Sequence, residues 1–197
     1  SYFSKRSGFV INQLSGGGCE HMGNFPTFPV KGKLKMSPDN ILNYRINVSE
    51  EKGHAGYYEA KVQEDIHAKL TVTERTGMAS YEYPADQQYG TIIIGGGISA
   101  TPIEQAAIVI TAPNKCEGYA EGGNFCGLRT PYKVYFVAEF DTDALESGTW
   151  KRDELKPNTT FAEGEYSGVY FTFDVNKKKN IQYKIGVSYV SVENARE

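Results

Sequence analysis

The feature that most restricts the fold of this chain is an alternation of apolar and polar residues with a period of two. In segment 66–73 every second residue is apolar, and the residues between are His, Lys or Thr. This spacing puts the apolar side chains on one face of a β-strand, whereas a helix would need apolar residues three and four positions apart. Segments 132–140 and 181–189 repeat the pattern. The chain is therefore predicted to be built from strands with one wet face.

Turn residues divide the rest of the chain into short apolar segments. Glycine, proline and Glu64-Asp65 interrupt it at intervals that are typical of antiparallel sheets. The predicted strands are 56–62, 66–75, 79–83, 91–94, 106–111, 132–140, 168–173 and 181–189. These and further short segments make about ten strands, without a persuasive helical repeat. The predicted fold class is all-β, a large antiparallel β-sandwich with little helix, formed by 1–197 as a single domain.

Three local predictions accompany this fold class. Segments 168–173 and 181–189 flank a turn that contains three lysines and are predicted to form a hairpin. The only helical candidate is short, at 102–107. The polar segments 31–53 and 141–166 are predicted to consist mainly of loops.

Composition excludes several classes of function. The formal net charge is −3, and no stretch concentrates Lys and Arg beyond Lys177-Lys178-Lys179, so a nucleic-acid partner is not expected. No run approaches the roughly 20 apolar residues of a membrane span. The three histidines are scattered and no CxxC pair exists, so a structural zinc site is not expected.

The three cysteines leave their pairing open. Because Cys19, Cys116 and Cys126 are odd in number, at least one thiol is unpaired within the chain. Cys116 and Cys126 flank a glycine-rich stretch, so a bridge between them is one alternative. The other alternative is that these two cysteines do not form a disulfide with each other.

The sequence offers no convincing catalytic centre of its own. Glycoside hydrolysis needs two carboxyls that face each other at about 5–5.5 Å or about 6.5–9.5 Å. Glu64-Asp65, Asp141 with Asp143, and Asp153-Glu154 all lie at turns or loops, where solvated side chains are the simpler interpretation. Ser15 lacks the G-x-S-x-G motif of a nucleophile elbow. No catalytic residue is therefore predicted in this chain.

Two glycine-rich segments have the composition of a sugar-contacting edge. Segments 15–26 and 117–127 both combine glycines and polar side chains with an aromatic residue. Polar groups can hydrogen-bond sugar hydroxyls while an aromatic ring covers the apolar face of the sugar. Plain turns remain the alternative for both segments.

Several short motifs, in order along nearly the whole chain, resemble glycoside hydrolase family 92, the α-mannosidases. They are Gly8-Phe9, Leu14-Ser15-Gly16, Gly18-Cys19, Gly23-Asn24-Phe25-Pro26, Gly56-Tyr57-Tyr58, 70–77, Asn124-Phe125-Cys126-Gly127, 132–140, Gly148-Thr149-Trp150 and 186–196. Each motif alone is weak, but their shared order makes the resemblance strong.

The resemblance implies a specific role. It makes this chain the N-terminal, supersandwich-like domain of a larger bacterial enzyme whose catalytic (α/α) barrel is absent here. That enzyme would be a calcium-dependent, inverting exo-α-mannosidase of the α-1,2 type, acting on mannose-containing glycans in N-glycan degradation. The calcium and the catalytic carboxyls would belong to the barrel, so this chain alone is expected to hold no metal or other cofactor and to be inactive. A periplasmic or extracellular location is favoured over the cytoplasm.

The resemblance also selects candidate substrate-binding residues. They are Gln13, Ser15, Cys19, Glu20, His21, Glu121 and Asn124. Gln13 departs from the family, which often has His at this position, and an amide does not titrate near neutrality as imidazole does. Linkage preference is therefore expected to differ if this position touches substrate. A stand-alone carbohydrate-binding module and a purely structural sandwich are the rival interpretations.

Overall fold

The computed structural model describes residues 8–12, 19, 22–38, 47–124, 126–129 and 131–197. In these residues fourteen strands and one short helix are present, which confirms the all-β fold class. The elements are β1 (Thr27–Lys31), β2 (Val48–His54), β3 (Tyr57–Val62), β4 (Ile66–Val72), β5 (Thr76–Glu82), β6 (Tyr89–Gly95), β7 (Ile103–Ala112), β8 (Lys115–Gly122), β9 (Tyr132–Phe140), β10 (Glu146–Lys151), β11 (Glu154–Pro157), β12 (Phe161–Glu163), β13 (Ser167–Asp174), β14 (Asn180–Ser188) and α1 (Val192–Arg196).

The strands form two antiparallel sheets. One has five strands in the order β1-β6-β13-β10-β11, and the other has nine in the order β12-β7-β8-β9-β14-β5-β4-β3-β2. The main hydrophobic core contains residues of both sheets, including Phe136 and Phe140 of the larger one and Phe171 and Phe173 of the smaller one. The rings of Phe140 and Phe171 are 4.8 Å apart. The structure is therefore a sandwich in which aromatic side chains join the two sheets.

The hydrophobic patterns of β9 and β6 differ because their sheets are covered differently. In β9 the alternation is as predicted, with Val134, Phe136 and Ala138 buried in the core. In β6 three consecutive isoleucines are buried: Ile92 and Ile94 join the main core, and Ile93 joins a second cluster with Phe28 and Trp150. A strand that is buried on both faces loses the period-two signal, since all its positions favour apolar residues.

The predicted hairpin of 168–173 and 181–189 is wrong. β13 pairs with β6 and β10 in the smaller sheet, whereas β14 pairs with β5 and β9 in the larger one. The lysine-containing connection therefore crosses from one sheet to the other. Phe140 contacts the ring of Phe171 at 4.8 Å and that of Tyr183 at 5.7 Å, so both strands pack on the same core from opposite sides.

The segments predicted to be loops contain further strands. All of β2 except its last residue lies within 31–53, and β10, β11 and β12 lie within 141–166. Every residue of β2 is exposed, so this edge strand carries no hydrophobic pattern. The helical candidate 102–107 overlaps the start of β7, and the helix that is present, α1, was not predicted. No helix in the described part of the chain is both long and apolar enough to cross a membrane.

Candidate functional site

Most of the loops that the sequence analysis identified as candidate site segments lie at one end of the sandwich. There β6, β8 and β14 end, and β1, β7 and β9 begin. We call this end of the sandwich the loop end. Its described residues are 9–12, 19, 22–26, 72–75, 96–102, 123–124, 126–129 and 189–190. The two glycine-rich segments predicted from sequence both reach it. Most of the second, however, is strand β8, and its loop starts only after Gly122.

A disulfide joins these two segments. Cys19 and Cys126 are bonded, with their Cα atoms 5.5 Å apart and 107 residues between them in sequence. The alternative pairing of Cys116 with Cys126 is therefore wrong, and Cys116 is a free, buried thiol. The physical reason is that residues 115–122 form an extended strand rather than a loop, so Cys116 and Cys126 lie at opposite ends of it.

A buried polar network anchors the first of these segments to the larger sheet. The Asn12 side-chain amide donates to Asn24 Oδ1 at 3.1 Å, and the Asn24 backbone N–H donates to Asn12 Oδ1 at 2.9 Å. The Tyr132 hydroxyl, at the start of β9, donates to the same Asn24 oxygen at 2.7 Å. The Asn24 Nδ2 atom is buried without an acceptor. Segment 22–24 is thus tied to the larger sheet through side chains rather than through a strand ladder.

Replacing Tyr132 by Phe is expected to lower the free energy of unfolding by about 1 kcal/mol, because the buried Asn24 oxygen loses one of its two donors. Urea denaturation of both proteins measures the difference. Tyr189→Phe is the matched control, since its hydroxyl is at the surface and only reaches the Met22 sulfur at 3.5 Å. Equal stability changes in the two variants would contradict an anchoring role for the Tyr132 hydroxyl.

The candidate substrate-binding residues do not all lie at the loop end. Cys19 and Asn124 do, and Asn124 is exposed two residues before Cys126. Gln13, Ser15, Glu20 and His21 are outside the described residues. Their roles, like those of the other candidates, stay predictions.

Glu121 has a different environment from the loop residues. It lies near the end of β8 and forms an ion pair with Lys133 of β9 at 3.4 Å. The Lys133 ammonium also lies 4.0 Å from the centre of the Tyr119 ring and 5.7 Å from that of Tyr135. Because Ala120 is in the core, Glu121 points to the outer face of the larger sheet. Its carboxylate is engaged in a cross-strand cluster there.

One member of each pair of carboxylates that was considered as acid and base forms a surface ion pair. Asp65 pairs with Lys31 at 2.9 Å, Asp141 with Lys178 at 2.7 Å and Glu154 with Lys156 at 3.0 Å. Within the described ranges, no group of three or more His, Cys, Asp or Glu side chains is arranged to hold a metal ion. The described part of this chain therefore does not offer a ligand set for the calcium that the family resemblance implies.

A charged groove on the outer face of β2 to β5 was not predicted from the sequence. It has a volume of about 410 Å³ and is lined mainly by Lys, Glu and Asp side chains. At its wall the Tyr57 hydroxyl donates to Glu59 at 2.7 Å, and this bond lowers the pKa of the Glu59 carboxyl. Lys52 lies 3.7 Å and His67 3.9 Å from the same carboxylate. The available signal was the run of polar and charged residues at the outward positions of the predicted strands 56–62 and 66–75.

The fold and the loop end define an all-β sandwich domain with glycine-rich loops gathered at one end. Residues 2–188 match the family model of the glycosyl hydrolase family 92 N-terminal domain. The chain therefore belongs to glycosyl hydrolase family 92 and corresponds to the N-terminal part of such a hydrolase. No curated protein matches the sequence.

Solved structures of family 92 enzymes share the fold. The family 92 glycosyl hydrolase ccman5 superposes with a TM-score of 0.84 at 22% identity, over 96% of this chain and 27% of that one. The family 92 α-mannosidase BT3965 from Bacteroides thetaiotaomicron gives 0.81 at 23% identity, over 96% and 27%. The inverting mannosidase BT2199 from the same organism gives 0.72 at 23%, over 87% and 22%. The chain thus spans about a quarter of the length of these proteins.

Proposed function

We propose that this chain is the non-catalytic N-terminal domain of a bacterial, calcium-dependent, inverting exo-α-mannosidase of the α-1,2 type. The family match supports the assignment to a glycoside hydrolase. Two enzymes with the same fold are described as an inverting mannosidase and an α-mannosidase, which supports the substrate class and the stereochemistry. The chain would support the catalytic (α/α) barrel and lend loops to a pocket for mannose-containing glycans.

The observation that carries this proposal is the composition of the loop end. Large apolar side chains are exposed there beside the polar segments: Leu128 is 68% exposed, Tyr189 52% and Val190 71%. An apolar surface next to polar loops is typical of a face that packs against another domain. The loop end therefore has both components that the role requires, an apolar contact surface and hydrogen-bonding groups beside it.

The chemistry of hydrolysis is assigned to the catalytic domain. One carboxylate of each candidate pair in this chain forms a surface ion pair, and calcium would be held by the other domain. This chain's own contribution is to bind and position substrate. The exposed Asn124 amide can both donate to and accept from a sugar hydroxyl. The other candidate residues, Gln13, Ser15, Cys19, Glu20 and His21, would also contact the sugar.

The test compares two exposed asparagines in the full-length enzyme with an aryl α-mannoside and calcium. Asn124→Ala is expected to lower kcat/KM about tenfold, because one hydrogen bond to substrate is worth about 1.4 kcal/mol. Asn176→Ala is the matched control, since Asn176 is exposed at the opposite end of the sandwich and should leave kcat/KM unchanged.

The 197-residue chain alone is expected to show no turnover in the same assay. Calcium-dependent turnover by the isolated chain would overturn the assignment of the chemistry to another domain. Calorimetric affinity of the isolated chain for a mannose glycan, together with an inactive full-length protein, would favour a carbohydrate-binding module.

A further inference from the structure

The Cys19–Cys126 bond is placed where a small-molecule thiol can reach it. Cys126 lies in an exposed stretch with its neighbours 127–129, and Cys19 is partly exposed. Neither residue belongs to the hydrophobic core, which is formed by side chains of the two sheets. Breaking the bond would therefore remove a constraint from the loop end without removing any core contact.

The third cysteine cannot interfere with this bond. Cys116 is fully buried in β8, and burial raises the pKa of its thiol far above the ordinary value, so it stays protonated. It is separated from the loop end by the length of β8, which is about 20 Å at about 3.3 Å per residue. Thiol–disulfide exchange requires a thiolate in contact with the disulfide, so Cys116 cannot take part in it. The native protein therefore has two redox forms at the loop end, bonded and reduced.

We propose that the Cys19–Cys126 disulfide is a reversible redox clamp that holds the two segments of the loop end together. In the opening reaction a dithiol gives up two protons and two electrons; the sulfur–sulfur bond breaks, Cys19 and Cys126 become thiols, and the dithiol becomes a cyclic disulfide. A disulfide of the glutathione type reverses the step and is itself reduced to two thiols. The loop end is closed in an oxidising compartment and open in a reducing one.

The hydrogen bonds near the clamp identify the amides that report on it. The Gly23 N–H donates to the Asn12 carbonyl at 2.7 Å, and the Ala100 N–H donates to the Met22 carbonyl at 2.8 Å. Both bonds tie the segment around Cys19 to its surroundings. At the opposite end of the sandwich, the Val175 N–H donates to the Gln88 carbonyl at 2.9 Å and provides a control amide.

The test is amide hydrogen exchange of the chain with and without dithiothreitol, at a temperature where both forms are folded. Reduction is expected to speed exchange at Gly23 and Ala100 at least tenfold and to leave Val175 unchanged, and oxidised glutathione should restore the slow rates. The Cys19→Ser, Cys126→Ser double variant should exchange rapidly under both conditions, and Cys116→Ala should respond as the unsubstituted chain does. Unchanged hydrogen-exchange rates at Gly23 and Ala100 after complete reduction would contradict the proposed clamp.

The effect on catalysis rests on the proposed function and is measured separately. If the loop end contributes to the substrate pocket, dithiothreitol should lower kcat/KM of the full-length enzyme several-fold, and reoxidation should restore it. Faster amide hydrogen exchange after reduction, together with unchanged kcat/KM, would confirm the clamp and contradict the role of the loop end in substrate binding. Failure of the clamp and failure of the proposed function therefore give different experimental results.

Discussion

Replacing Cys19 and Cys126 together by serine is expected to lower the free energy of unfolding by as much as about 4.7 kcal/mol. The bond closes a loop of more than a hundred residues, since the two cysteines are 107 positions apart. Without it the unfolded chain gains conformational entropy, which favours unfolding. Because the loosened loop end also gains freedom in the folded state, about 2 kcal/mol is the smallest loss that we expect.

Urea denaturation without reductant measures this loss. The unsubstituted chain should fall to the stability of the double variant when dithiothreitol is added, while the variant itself should not respond. Cys116→Ala provides the control, because it removes a thiol but keeps the disulfide; it should lose stability through its cavity and retain the response to reductant. A double variant as stable as the unsubstituted chain would show that the disulfide does not constrain the unfolded state.

Replacing Trp150 by Ala is expected to cost about 3–5 kcal/mol of unfolding free energy. Trp150 is fully buried in the second hydrophobic cluster, together with Phe28, Ile93 and Tyr170. It also lies against Gly168 of the neighbouring strand, where a Cβ atom would come within 2.8 Å of the indole ring. The surrounding strands are held by their ladders, so the cavity left by the indole cannot close completely.

Circular dichroism during urea denaturation measures the effect of Trp150→Ala. Leu145→Ala is the matched control, because Leu145 precedes the same strand, β10, but is 57% exposed, and it should change the stability by less than about 0.5 kcal/mol. Similar losses in the two variants would contradict the view that the outer face of the smaller sheet has a closely packed cluster of its own.

Strands with one exposed face were predictable from the sequence, and so were β6 and β13, which are continuous short apolar runs bounded by turn residues. The exposed edge strand β2 was not. β4, β9 and β14 show the period-two pattern because one of their faces packs on the core. The edge strand β2 is exposed along its whole length and therefore shows no such pattern. The pairing of strands was also hidden, since apolar side chains of β13 and β14 would reach the core whether the two strands pair with each other or face each other across it.

The candidate site was predictable only in part. The composition of segments 15–26 and 117–127 indicated a polar edge, and the structure brings both to the loop end. The partner of Cys126 could not be chosen from sequence, because Cys116 is nearer along the chain while Cys19 is nearer in space. Glu121 was grouped with the loop, but the strand continues to Gly122 and turns its carboxylate to the outer face.

By itself, the sequence determined the all-β class, the family and the faces of the strands that meet the core, because alternation and ordered motifs are local properties of the chain. Only the tertiary structure decided the division into two sheets, the Cys19–Cys126 pairing and the anchoring of Asn24 by Asn12 and Tyr132. Each of these joins residues that are far apart in sequence. Their contact depends on the packing of the whole sandwich, and no local pattern encodes it.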